Sequence, residues 1–227
     1  MILAHALRAN ETLWECLRRI SLLNLPAWYL GAGCVAQTIW NLAHGKAPGA
    51  DILDYDLVYY DRDLSDARER SITREARESV VDLRIELDVT NEARVHLWYP
   101  QHFGYGIQPY QSTEDAIGTW PTTATAIGVR LSGGDLEVWA PFGTDDLFNL
   151  VMRPNRVQIT PEIYAAKVSR WSTRWAFLVV LPWEDGVGHP ALRRLDPSRA
   201  DRQPGSLSPS GGAATSNAFT IPDRNEK

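Results

Sequence analysis

The chain has 227 residues, of which 44% are hydrophobic and 22% charged, so it can bury a substantial core, and its formal net charge of -5 disfavours long nucleic acid as a partner. The opening MILAHALRANETLWECL interrupts its apolar residues with arginine and glutamate, and no window approaches the ~18 apolar residues of a membrane span; no membrane association and a cytoplasmic location are the expectations. Cys16 and Cys34 lack CxxC spacing and read as reduced, while His44, His96 and His102 lack the paired spacing of a zinc site.

In chain order, Leu13, Leu17 and Ile20 recur at helical spacing behind Asn10, a good cap, and predict a helix over 10–22. A short strand at AWYL, 27–30, runs into GAG, and Val35, Ile39 and Leu42 predict a helix opening just after Gly33. HGKAPGADI ends that helix, and a strand is expected over 54–60. Ser65 begins a surface helix carrying Ile72, Ala76 and Val80. LRIELDV alternates, with Leu83, Ile85, Leu87 and Val89 on one face and Arg84, Glu86 and Asp88 on the other. ARVHLWY repeats the alternation, setting Arg94, His96 and Trp98 against Val95, Leu97 and Tyr99. Residues 100–121 read as a loop with one helical turn after Ser112, and 122–140 as a hairpin turning at Gly133 and Gly134. PFGTDDLFNLVMRPN is a compact connection in which Asp145 and Asp146 suit a helix start. From Pro161, a final helix carries a core stripe of Tyr164, Val168, Trp171 and Trp175. One domain over 1–196 is expected, followed by a disordered tail at 197–227, where apolar residues are too sparse to offset the entropy of ordering.

The strand opening ILDYDLVYYD places Asp54 and Asp56 on one face, and Asp88 can join them from the next strand, with Glu86 as its substitute. Like charges held together need a neutraliser. Magnesium is a suitable one, because it prefers oxygen ligands, and two such ions can serve in-line phosphoryl transfer. An acidic strand end can also simply face solvent. Gly31 and Gly33 either let phosphate approach backbone N–H groups at a helix start or serve a tight turn. Arg94, projecting beyond Asp88, and Lys167, on the last helix, either bind phosphates or pair and pack locally. Trp98, Trp120 and Tyr110 are candidates to stack a base.

The ordered set WYLGAGCVAQTIWN, LDYDLVYYD, LSDARE, DVTNEARVHLWY, STEDAIGTWPTTATAIGVRL and APFGTDDLF resembles an uncharacterised bacterial family of nucleotidyltransferase-like proteins. That family lies within the DNA polymerase beta-like nucleotidyltransferase superfamily, and the resemblance covers roughly residues 10–180. It implies an α/β fold with a small mixed sheet flanked by helices. It also implies a glycine turn at Gly31 and Gly33, two metal-binding aspartates at Asp54 and Asp56, and a third carboxylate at Asp88 that helps hold the catalytic ion and activate the acceptor. The cofactor implied is magnesium as two ions, with manganese as a substitute, and the partners are an NTP and an unspecified acceptor. The separation between GAG and Asp54 is longer than the superfamily's, the extra length falling in HGKAPGADI. Transfer of a nucleoside monophosphate is the expected reaction. A nucleotide-binding regulator and an interaction module with a vestigial acidic site are the alternatives.

Overall fold

In a computed structural model of the chain, residues 2–188 other than residue 53 are described; the expected tail and the expected domain end at 196 lie outside them. Two helices open the fold, α1 (Ile2–Arg8) and α2 (Glu11–Ser21). The Asn10 side chain caps α2 by accepting the Leu13 N–H at 3.2 Å, and donates at 2.8 Å to Thr38 of the next helix, so one residue both starts α2 and orients it. Strand β1 (Tyr29–Gly31) passes through Ala32, at φ 51°, into α3 (Gly33–Ala43). The left-handed Ala32 makes an abrupt strand-to-helix turn, held by its N–H donating to the Ile127 carbonyl at 3.0 Å.

Strand β2 (Asp54–Tyr59) leads to α4 (Asp66–Ser79), whose cap is Ser65. A 3₁₀ turn over Val81–Leu83 and the left-handed Arg84, φ 56°, then delay β3 to Glu86–Asn91, three residues later than the alternation at Leu83 suggested. The phase survives, since Leu87 and Val89 are buried. ARVHLWY is not a strand. Asn91 accepts the Ala93 N–H, a 3₁₀ turn occupies Glu92–Arg94, and α5 (Val95–Phe103) follows. Residues 95, 99 and 103 fit the helical period as well as 95, 97 and 99 fit the strand period, and Leu97 is left 48% exposed where a strand would have buried it. The expected loop therefore begins only after Phe103.

Helix α6 (Thr113–Ile117) is capped by Ser112. The hairpin of β4 (Gly128–Ser132) and β5 (Asp135–Trp139) turns through Gly133 and Gly134, both at positive φ. Then come α7 (Asp145–Phe148), β6 (Val151–Met152), α8 (Pro161–Ser172) and β7 (Val179–Val180). The main sheet has the order β3-β2-β1-β4-β5, with β2 and β3 parallel and the other pairs antiparallel; β6 and β7 pair separately.

The largest core cluster joins Leu13, Leu17 and Ile20 of α2 to Val35 and Ile39 of α3 and Leu57 of β2. Trp40 meets Trp171 and Trp175 edge-on, at centroid distances of 5.5 and 5.3 Å, which ties the end of α8 to α3. Both cysteines are free and buried. Among the described residues no helix is long and apolar enough to cross a membrane.

Candidate active site

The parallel register sets Asp56 of β2 opposite Asp88 of β3 and Asp54 opposite Glu86. Asp54, Asp56 and Asp88 line one cavity of about 200 Å³. Glu86 is exposed at the strand start and is not among the lining residues. The abrupt turn at Ala32 brings the Gly33 N–H to the Asp56 carboxylate, to which it donates. That bond and the nearby Lys167 favour the ionised acid. Burial, reinforced by Asp54 and Asp88, outweighs them and pushes the Asp56 carboxyl up to about 7.

Gly31 and Gly33 occupy different surroundings. A Cβ at Gly31 would lie 2.4 Å from the Ile127 carbonyl and 2.9 Å from the Trp120 ring; Gly31 sits between two paired strands and does not line the cavity. Gly33 does line it, and a Cβ there would crowd the end of the Gln37 side chain at 2.8 Å, with Asp56 Oδ2 at an ordinary contact distance of 4.0 Å. Lys167 lines the cavity from α8, one turn before Arg170 and Trp171. Burial lowers the ammonium's proton affinity, while Asp56 and Asp54 act in the opposite direction.

Arg94 lies elsewhere. The 3₁₀ turn after β3 directs it to α4, where its Nε is 3.0 Å from Glu69 and its guanidinium also reaches Asp66 and the Leu64 carbonyl. It therefore clamps the start of α4 to the end of β3 and does not line the cavity with Asp88. His96 does not line the cavity either. Trp98, Trp120 and Tyr110, the stacking candidates, all do.

Several lining residues were not singled out from the sequence: Gln37, Thr90, Glu92 and Arg170. Glu92 is 95% buried, its relative exposure being 5%. Burial, then the charges of Asp56 and Asp88, raise its carboxyl to about 8. A signal for it existed, because Glu86, Asp88, Thr90 and Glu92 fall on every second residue, and carrying the alternation past Val89 would have reached it. Gln37, 6% exposed, leaves its Oε1 without a hydrogen-bond partner among the described residues.

Among the described residues no three His, Cys, Asp or Glu side chains converge closely enough to form a ready-made metal site. The chemistry of the lining nevertheless fits a hard cation. Its acidic donors are all oxygen, and the Asp56 charge, resisted by burial and two like neighbours, would be offset by a divalent ion.

A mixed sheet flanked by helices, with an acidic cavity beside its parallel pair, defines a nucleotidyltransferase-like α/β protein. The family described as Nucleotidyltransferase matches residues 18–180, and the chain belongs to it. It is also similar, at 28% identity and a TM-score of 0.63, to a protein whose NMR structure is described as revealing a CCA-adding enzyme head domain. That similarity covers 78% of this chain and 94% of the other. No curated protein matches the chain.

Proposed function

We propose that the protein transfers a nucleoside monophosphate from an NTP to an acceptor hydroxyl or phosphate, releasing pyrophosphate. The observation that carries this reading is the in-register pair Asp56 and Asp88, joined in one cavity by Asp54, Gly33 and Lys167. Asp54, Asp56 and Asp88 would hold magnesium, which when bound offsets phosphate charge and eases ionisation of the acceptor. The other roles belong to the chain's own groups. The Gly33 end of α3 and the Lys167 and Arg170 side chains would bind the phosphates by backbone N–H groups and positive charge. Asp88 would orient the acceptor oxygen and take its proton. That oxygen forms a bond to the α-phosphorus as the bond from this phosphorus to pyrophosphate breaks.

The test is a thermal-shift matrix of the wild type and Asp56→Asn against ATP, CTP, GTP and UTP, each with and without magnesium. At a ligand concentration near 100 Kd, binding to the folded state alone adds about 2.7 kcal/mol. The expected result is a magnesium-dependent rise in Tm with at least one NTP, lost in the variant, and pyrophosphate release once an acceptor is supplied. A folded wild type that responds to no NTP overturns the reading.

A further inference from the structure

The cavity draws its lining from β2 and from the elements on both sides of it. Along the sheet, β2 with Asp54 and Asp56 lies between β1, which leads into Gly33, and β3, which carries Asp88. Lys167 lines the cavity from α8 within reach of the charges of Asp56 and Asp54. Beyond Asp88 the character changes. Glu92 lines the cavity from the turn between β3 and α5, and the α5 rings of Trp98, Tyr99 and Phe103 continue the wall.

Glu92 is the odd group here. It is 95% buried, at 5% relative exposure, and only burial and the like charges of Asp56 and Asp88 act on its carboxyl; no hydrogen bond or ion pair reaches it among the described residues. Leaving a buried carboxyl unpartnered costs stability, so a ligand group that satisfies it gains correspondingly. The tyrosines that share the cavity lining point to the kind of group. The Tyr99 hydroxyl lies 3.2 Å from that of Tyr105, and the Tyr110 hydroxyl donates at 3.0 Å to Gln158, so these residues offer mainly ring surface. Aromatic faces that line the same cavity as a carboxyl suit a cation carried on an apolar body. The same acidic wall repels a phosphodiester chain.

We propose that the β3–α5 part of the cavity lining is an acceptor site for a small amine-bearing alcohol or phenol, Glu92 pairing with the ammonium against the rings of Trp98, Tyr99 and Phe103. The assignment as acceptor rests on the transferase reading above. The ammonium anchors the molecule, and its hydroxyl is the group presented towards Asp88, where it takes the nucleoside monophosphate as pyrophosphate leaves and its proton passes to a carboxylate.

The probes are tyramine and tyrosol, which share a phenol and an ethyl chain and differ in ending as an ammonium or a hydroxyl. Each is titrated calorimetrically at a pH above the raised value of about 8, so that Glu92 is ionised, into the full chain as wild type, Glu92→Gln and Trp98→Leu, with far-UV circular dichroism checking the fold of the variants. A parallel titration uses an equimolar mixture of ATP, CTP, GTP and UTP with magnesium. The wild type is expected to bind tyramine at least about tenfold more tightly than tyrosol, the size of a charge-assisted contact. Glu92→Gln should abolish that preference without abolishing nucleotide binding, and Trp98→Leu should weaken tyramine. The proposal is overturned if the wild type binds both probes equally or neither, or if folded Glu92→Gln keeps the preference. Nucleotide binding that persists in those cases leaves the transferase reading standing. Tyramine binding with no nucleotide binding would show a cation site and overturn its assignment to an acceptor.

Discussion

Asp56 and Glu92 hold their protons more tightly in the folded protein than their ordinary values of 3.8 and 4.5 would have them, at about 7 and about 8. Between the ordinary and raised values the native state binds more protons than the unfolded state. Stability contributed by each acid is therefore fully present below its ordinary value and lost as pH rises through the raised one. Without metal, Asp56→Asn should gain in Tm relative to wild type as pH rises from about 4 to 7, by roughly 5 °C or more at the top of that window. A variant-to-wild-type difference that stays flat across pH would contradict the burial of this charge. The two glycines separate in the same way by experiment. Gly31→Ala drives a Cβ against a backbone carbonyl and should cost ~2 kcal/mol or more in urea unfolding. Gly33→Ala crowds only the end of a side chain, the Gln37 amide, so it should leave stability within ~1 kcal/mol while lowering nucleotide binding. Equal losses of stability would refute that division. Asp54 and Asp56 were readable as one face from their spacing, whereas the different surroundings of Gly31 and Gly33 were not, because the atoms crowding Gly31 come from Trp120 and Ile127, distant in sequence.

Among the elements, α5 shows where periodicity fails. A short segment with Val95, Leu97, Tyr99 and Phe103 satisfies the strand and helix patterns at once, and the 3₁₀ turn that Asn91 initiates decides between them. That turn has two effects: it sends Arg94 to α4 and leaves Glu92 in the cavity. Arg94 and Glu69 are both buried, and removing one partner leaves the other's charge stranded. Arg94→Met should lower stability by about 3–5 kcal/mol in urea unfolding and keep the nucleotide response. A variant as stable as wild type that no longer responds to nucleotide would instead put Arg94 in contact with the ligand. Helices α2, α4 and α8 were legible because their signals are local: Asn10 and Ser65 each accept an N–H three residues on, and Pro161 opens α8.

Across the molecule, the site depends on α8 docking beside the sheet. Trp175, fully buried, donates its indole N–H to Asn41 Oδ1 at 2.8 Å and packs on Trp40 of α3, just beyond the helix that carries Lys167. Trp175→Ala should cost about 3–5 kcal/mol through the cavity it leaves and the bond it removes, and should weaken nucleotide binding as Lys167 loses its position. Retained nucleotide affinity in a destabilised but folded variant would show that α8 is held without this contact. Most element types outside α5, the paired aspartates and the family were legible from the chain alone, since caps, alternation and motif order are properties of neighbouring residues. The opposition of Asp56 and Asp88, the diversion of Arg94 and the burial of Glu92 arose only in three dimensions. Strand register, the direction of a turn and the exclusion of water are set by which distant segments pack together, and linear spacing carries no measure of that.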